Sequence, residues 1–202
     1  MALNFLKEAI KDKSLSLRLI REFHALVLNE DIENRGKFKK SNNEILGAGF
    51  ETTPYYLVEE KLTELIDEFN SSENNDLIMK VACFHADFEK IHPFIDGNGR
   101  TGRLLLNLEL MKNGYPITVI RNEDREEYYG ALETAQVKSN YELLADFVEK
   151  SVENTFWMYY KYFDEDTKMK FEEYLKKNGI VYQKRFEDYP ETERDFPRNW
   201  NK

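Results

Sequence analysis

Apolar residues recur at helical spacing along most of the chain. In residues 14–30, Leu17, Ile20, Phe23 and Val27 fall three or four positions apart, which predicts an amphipathic helix. The same spacing predicts further helices over residues 55–70, 76–91, 100–113, 122–138, 142–163 and 167–179. The pattern therefore predicts a mostly helical fold.

Turn-forming residues mark where several of these helices should begin or end. The helix over 76–91 should end at His92, because a residue before proline avoids the α region. Gly114 supplies an end for the helix before it, and Asn122 is a candidate N-cap for the one after it. Residues 34–54 carry three glycines and a polar turn, which predicts a small β-hairpin or an ordered loop.

Length and composition restrict the class of protein. The 202 residues, 41% hydrophobic and 33% charged, are expected to form a single soluble domain over 1–202. The net charge of −9 argues against a nucleic-acid surface. No apolar run is long enough to span a membrane and the N-terminus is unlike a secretory signal, so a cytoplasmic location is predicted, with secretion into a host cell left open. The lone cysteine, Cys83, is interpreted as a buried, inert thiol.

One stretch breaks a local rule of helix electrostatics. Residues 92–103, HPFIDGNGRTGR, place His92, Arg100 and Arg103 around a glycine-containing loop and the first turn of a predicted helix. Cations are disfavoured at that end by the helix macrodipole. Glycines 97 and 99 let the backbone approach a ligand closely, and helix-start amides bind anions. This arrangement predicts a polyphosphate site, although it is not a Walker loop.

The other side chains of this stretch allow two interpretations each. Asp96 could pair with an arginine or cap the helix, or it could bind Mg²⁺ together with substrate phosphates. His92 could be a structural hydrogen-bonding group or a general base near neutral pH. Phe94 and Ile95 are expected to anchor the loop in the core.

The stretch HPFIDGNGRTGR resembles the signature of Fic-domain proteins, H-P-F-x-D/E-G-N-G-R-x-x-R, at every specified position. The resemblance extends over about residues 20–150 and leaves 151–202 as a helical C-terminal extension. It implies an all-α fold with a small β-hairpin flap beside the active-site loop. It also implies transfer of AMP from Mg²⁺-bound ATP to a Tyr, Ser or Thr hydroxyl of a target protein.

The resemblance also implies roles for individual residues. His92 would be the general base, and Asp96 would hold Mg²⁺. The ATP phosphates would be bound by the remaining signature residues Gly97, Asn98, Gly99, Arg100 and Arg103. Related Doc toxins, which phosphorylate their targets, carry lysine at the position of Gly99, so glycine favours nucleotidyl transfer.

Two further regions have a looser resemblance to the family. The flap, residues 37–50, would dock an extended target segment through Lys37, Phe38, Ile45, Leu46 and Gly47. Lysines at 39 and 40 follow Phe38 where the family often has arginine. Tyr128 and Leu132 resemble nucleotide-pocket positions, but core packing is an equal alternative.

Several alternatives stay open on the sequence. The same fold could remove AMP from a modified protein or transfer another phosphate-containing group. His85, Asp87, His92 and Asp96 could instead form a transition-metal phosphohydrolase site, or the domain could bind nucleotide without catalysis. No inhibitory S/T-x-x-x-E-G/N helix is present; residues 29–34 come nearest, with Asn29 in place of the hydroxyl residue. A separate antitoxin-like partner, or no restraint of this kind, therefore stays open.

Overall fold

The helices of a computed structural model follow the apolar pattern closely. The structure describes residues 14–73, 76–160 and 162–177. Within them it contains α1 (Leu17–Val27), a 3₁₀ turn (Tyr55–Leu57), α2 (Val58–Ser71), α3 (Leu77–Ile91), α4 (Asn98–Lys112), α5 (Arg125–Lys138), α6 (Glu142–Tyr160) and α7 (Glu165–Lys177). No strand occurs in this part of the chain, so the predicted all-α fold is confirmed. The tail from residue 180, which has no helical periodicity, lies outside the described residues.

Helix α3 is the centre of the fold. It packs against α2, α4, α5 and α6. The larger core cluster, which includes Phe23, Phe88 and Leu105, lies among α1 to α4 and α6. A smaller cluster, which includes Ala82 and Leu144, joins α3 to α5 and α6. The end of α3 is therefore held firmly from several sides.

The predicted helix ends agree with the structure except in two details. Helix α3 stops before His92, but His92 takes a left-handed conformation (φ 51°) rather than an extended one. Gly114 (φ 83°) follows the end of α4 as expected. The prediction that Asn122 caps α5 is wrong, because the helix begins at Arg125 and Asp124 occupies the N-cap position.

The flap is an ordered loop, without the paired strands of a hairpin. The main chain of the flap forms a hydrogen bond with the loop after His92, in which the Lys39 N–H donates to the Pro93 carbonyl at 2.9 Å. The Asn43 side chain donates to the Phe94 carbonyl at 2.8 Å, and the Thr52 hydroxyl donates to the Asn43 carbonyl at 2.6 Å. The first two of these bonds attach the flap to the loop that follows His92.

The structure bears on two expectations from the sequence, one about membrane-spanning helices and one about the burial of Cys83. Within the described residues, none of the helices combines the length and apolarity needed to cross a lipid bilayer. Cys83 is half-buried rather than fully buried. Its surroundings raise the pKa of its thiol to about 11, mainly through desolvation, so it is protonated at neutral pH.

Candidate active site

His92 lies at the C-terminal end of α3 with one ring nitrogen already engaged. Its Nδ1 is 3.2 Å from the Glu89 carbonyl oxygen. Because a carbonyl can only accept, Nδ1 carries the ring proton and the Nε2 lone pair is left to accept another. Burial lowers the pKa of His92, and the positive charge of Lys39 lowers it further. The ring is therefore neutral near pH 7 and able to act as a base.

The loop after His92 is fixed by the side chain of Asn98. Its Oδ1 accepts from the Phe94 N–H at 2.9 Å, and its Nδ2 donates to the Phe94 carbonyl at 2.8 Å. The Asn98 amide therefore faces inward, and the group it can offer an anion is its backbone N–H. Phe94 is fully buried, as expected for an anchor. The same expectation for Ile95 is wrong, because 49% of that residue is exposed.

The start of α4 has the features expected of an anion site. Gly97 takes a left-handed conformation (φ 80°) at the N-cap position, where no side chain caps the helix. A Cβ on Gly97 would lie 3.1 Å from Cγ1 of Val27, so the tight turn leaves no room for a side chain. The first N–H groups of a helix have no intrahelical acceptors and attract negative charge.

Asp96 is the carboxylate of this loop. Its Oδ1 accepts from the Gly97 N–H at 2.6 Å, and its Oδ2 accepts from the Arg100 guanidinium at 3.0 Å. The Asp96 side chain is 69% exposed, so lone pairs on both oxygens still face solvent. One exposed carboxylate beside a phosphate site suits Mg²⁺, which binds few protein oxygens and takes its other ligands from phosphates and water. The residues present therefore fit the ion.

Arg103 lies one helical turn after Gly99, and its guanidinium folds back over that glycine. A Cβ on Gly99 would lie 3.1 Å from Nη1 of Arg103, so glycine there leaves space for the arginine. Arg100, whose guanidinium bonds to Asp96, lies in the first turn of α4, so two forked cations belong to this end of the helix. This arrangement can bind a group that carries several negative charges.

A buried polar cluster lies behind Arg103, between α3, α4 and α5. His85 Nε2 and the Tyr128 hydroxyl are 2.7 Å apart. Glu89 is 5% exposed, and its Oε1 has no hydrogen-bond partner in the described part of the chain. Burial raises the pKa of Glu89 to about 7, and the Arg103 charge opposes that rise. Glycine at position 102 leaves space for the Glu89 carboxylate, because a Cβ there would lie 2.3 Å from Glu89 Oε1.

Sequence reasoning did not single out Glu89 as part of the site. A signal was present, because Glu89 falls four residues after His85 and seven after Ala82 and therefore shares their helix face. Glutamate is rarely buried without a partner, so a glutamate on an otherwise apolar face marks a special environment.

Lys39 was noted as a departure from the family pattern, but its burial was not expected. The residue is 5% exposed. Its ammonium group donates to Asn43 Oδ1 at 2.6 Å and lies 3.5 Å from the Ile91 carbonyl oxygen. Burial lowers the pKa of Lys39 to about 8. A lysine therefore links the flap to the last turn of α3, next to His92.

The looser predictions have mixed outcomes. Tyr128 and Leu132 are 3% and 7% exposed and belong to the smaller core cluster, which favours packing over nucleotide contact. In the flap, Leu46 is 99% exposed and is available to a partner, whereas the Phe38 ring packs 5.4 Å from the Phe94 ring. Of the other predicted docking residues, Ile45 is half-buried, and Lys37 and Gly47 are exposed.

The residues considered for a transition-metal site do not converge. His85 is buried against Tyr128. Both carboxylate oxygens of Asp87 accept from the Tyr141 hydroxyl, at 3.0 and 3.3 Å. Across the described ranges, no three His, Cys, Asp or Glu side chains are grouped as metal ligands. The phosphohydrolase alternative therefore has no support from this geometry.

The comparisons with known proteins agree with one another. Residues 14–110 match the Fic/DOC family model. The protein adenylyltransferase fic-1 of Caenorhabditis briggsae is 37% identical over 142 residues, which cover 67% of this chain and 28% of that protein. The solved structure of Caenorhabditis elegans Fic-1 has a TM-score of 0.69 and 33% identity over 78% of this chain and 48% of that chain. A Fic-domain signalling protein from Bacteroides thetaiotaomicron has a TM-score of 0.68 and 26% identity, over 75% of this chain and 65% of that one. The chain spans about a third of the length of the curated relatives it matches.

Proposed function

The chain belongs to the Fic/DOC family, and we propose that it is a protein adenylyltransferase, which moves AMP from ATP to a hydroxyl side chain of a target protein and releases pyrophosphate. The observation that carries the proposal is the placement of His92 at the end of α3, directly before the uncapped start of α4. A base beside an anion site is what attack of a hydroxyl on a phosphate requires.

In the proposed reaction, Nε2 of His92 takes the proton of a target Tyr, Ser or Thr hydroxyl. The hydroxyl oxygen then bonds to the α-phosphorus of ATP, and the bond to the β-phosphate oxygen breaks. The electron pair of that bond leaves with pyrophosphate. The Nδ1–H bond to the Glu89 carbonyl supports this role, because it orients the ring and fixes its tautomer.

The negative charge of the triphosphate would be balanced by the backbone N–H groups of the loop and by the two arginines. Backbone N–H groups of Asn98, Gly99 and Arg100 point from the start of α4, and Arg103 would hold the β- and γ-phosphates with Arg100. Asp96 would hold Mg²⁺, which would supply positive charge to neutralise the phosphates when it is bound.

The target would lie along the flap. Hydrogen bonds from the flap to the Pro93 and Phe94 carbonyls keep the flap next to His92. Leu46 stays exposed at the surface of the flap. A target segment that pairs with the flap backbone would present its hydroxyl to His92. We further propose that the domain acts in the cytoplasm, and that any restraint comes from a separate antitoxin-like protein.

The test uses ATP labelled on the α-phosphate, with Mg²⁺ and a cell lysate as the source of acceptor protein. Label should enter protein with the wild type and be lost with His92→Ala. Label from γ-labelled ATP should enter the lysate protein no more with the wild type than with His92→Ala; additional entry with the wild type would show kinase activity instead. Intact-mass analysis of the labelled protein should show the addition of one adenylate group.

The same assay separates the alternatives. Loss of label from a protein adenylylated beforehand, without added ATP, would favour removal of AMP. Binding of ATP with no transfer, unchanged by His92→Ala, would favour a non-catalytic nucleotide-binding module. Either result would contradict the proposed transferase.

A further inference from the structure

His24, in the last turn of α1, connects two segments of the active site that are far apart in sequence. It is fully buried. Its Nδ1 lies 2.9 Å from the Gly36 nitrogen, directly before the flap, and its Nε2 lies 2.9 Å from the Asp96 carbonyl oxygen. The ring also stacks on Phe94, with centroids 3.6 Å apart and planes within 3°. Each ring nitrogen therefore contacts a different part of the site.

These partners leave only one tautomer. A backbone N–H can only donate, so Nδ1 of His24 must be the acceptor for Gly36. A carbonyl can only accept, so Nε2 must carry the proton that it donates to Asp96. Both bonds use backbone groups, so they fix the path of the main chain rather than the rotamer of a neighbouring side chain.

The bond to Asp96 has a consequence for the phosphate site. In a trans peptide, the C=O and the following N–H point in opposite directions. With the Asp96 carbonyl turned inward to His24, the Gly97 N–H faces away from His24, where it meets the Asp96 carboxylate at 2.6 Å. Gly97 lies close against the ring, since a Cβ there would be 3.4 Å from Nε2 of His24. The histidine thereby sets the direction of the peptide that precedes the free amides of α4.

We propose that His24 is a positioning residue for the proposed AMP transfer: through its Nε2 donor it orients the Asp96–Gly97 peptide of the phosphate loop, and through its Nδ1 acceptor it fixes the start of the flap. The inference rests on the proposed function, because it concerns the same loop and flap. It adds a residue outside the signature whose two nitrogens serve two different substrates, the nucleotide and the target.

Two substitutions separate the two bonds. In His24→Asn, the amide lies where Nδ1 was, so the Gly36 bond can be kept while the Asp96 bond is lost. In His24→Gln, the amide reaches the place of Nε2, so the Asp96 bond can be kept while the Gly36 bond is lost. Val58→Ala is the control for a general loss of stability, because Val58 is 1% exposed in α2.

The readouts are binding of Mg²⁺ and α,β-methylene-ATP, in which the bond to be broken is blocked, and AMP transfer to lysate protein. His24→Asn should weaken nucleotide binding and lower the maximal rate by about 5- to 30-fold, the usual effect of one lost hydrogen bond. His24→Gln should leave both near the wild type and raise the lysate concentration that gives half the maximal rate. Val58→Ala should change only the melting temperature.

The inference is overturned if the two variants behave alike, or if Val58→Ala matches them when all are assayed well below their melting temperatures. A wild type that transfers no AMP would contradict the proposed function. Nucleotide binding alone would then still test the positioning role of His24. A weaker affinity confined to His24→Asn supports that role, and equal affinities in both variants overturn it. A wild type that does not bind the nucleotide analogue contradicts both proposals.

Discussion

The backbone N–H of Lys39 donates to the carbonyl oxygen of Pro93 at 2.9 Å, and the Lys39 ammonium group lies 3.5 Å from the carbonyl oxygen of Ile91. The lysine thus contacts the residues on both sides of His92. It holds the flap against the end of α3, and its positive charge acts on the proposed base.

The acidic limb of the pH–rate profile should depend on Lys39. The proposed AMP transfer requires neutral His92, so activity should fall as the pH drops through the pKa of His92, which lies below its usual value of 6.5. Lys39→Met removes a charge that lowers this pKa, while the larger effect of burial stays. The acidic limb should therefore move to higher pH, measured as the rate of AMP transfer between pH 5 and 8.

Two matched variants show whether charge is the cause. Lys39→Arg keeps the charge and should keep the acidic limb near that of the wild type. Lys40→Met removes an exposed charge from the neighbouring position and should have no effect. A profile that stays in place in Lys39→Met would contradict the electrostatic role of Lys39.

His92→Ala should lower the rate of AMP transfer by about 10²–10⁴-fold, the usual contribution of a general base. Binding of Mg²⁺ and α,β-methylene-ATP should persist, because the amides of α4 and the two arginines are unchanged. Calorimetric titration beside the labelling assay measures both. Loss of nucleotide binding together with activity would mean that His92 acts in forming the loop rather than as a base.

Arg103→Ala should raise the KM for ATP more than the KM for the acceptor protein. A charge-assisted hydrogen bond contributes about 1.5–3 kcal/mol, which corresponds to about a 10- to 100-fold rise in the KM for ATP. Arg18→Ala is the control, since Arg18 is exposed on α1 and pairs only locally with Glu22. An equal effect of both substitutions would remove Arg103 from the proposed phosphate site.

The helical fold and the residues of the loop could be predicted from the sequence because both depend on local patterns. Helical spacing predicted α1 to α7, and the signature placed His92, Asp96 and the arginines together. Glu89 left a signal in the helical pattern, but other supporting residues could not be found in this way. His24, for example, contacts Asp96 across 72 positions of sequence, and that contact exists only after α1 packs against α4. Local patterns do not encode such tertiary contacts.

Two glycines inside helices should respond to alanine in opposite directions. Gly102→Ala places a Cβ at 2.3 Å from Glu89 Oε1 and 3.1 Å from His85, so the buried Glu89 side chain or the packing of α3 on α4 must shift. Overpacking of this kind costs about 1–3 kcal/mol. Gly130→Ala in α5 meets nothing within 4 Å and should stabilise by about 0.5–1 kcal/mol. Urea denaturation measures both free energies of unfolding, and stabilisation by Gly102→Ala would contradict the close approach seen at Glu89.

Glu89 should make the stability of the protein depend on pH. Burial raises the pKa of its carboxyl from 4.5 to about 7 in the folded state. A raised pKa means that the folded state binds the Glu89 proton more tightly than the unfolded state does. The stability that the protonated carboxyl contributes to the folded state is therefore fully present below pH 4.5 and is lost as the pH rises to about 7. The loss amounts to about 3 kcal/mol, because each tenfold change in proton affinity is worth about 1.4 kcal/mol.

Glu89→Gln should abolish this dependence, since the amide is neutral at every pH and has nearly the same shape. Urea denaturation at pH 5 and pH 8 should show that the wild type loses stability between the two values and that Glu89→Gln loses much less, which makes the variant the more stable protein at pH 8. Glu133→Gln, at an exposed position of α5, should behave as the wild type does. Parallel pH profiles for the wild type and Glu89→Gln would mean that the Glu89 carboxylate stays ionised beside Arg103 in the folded protein, and that the arginine charge outweighs the cost of burial.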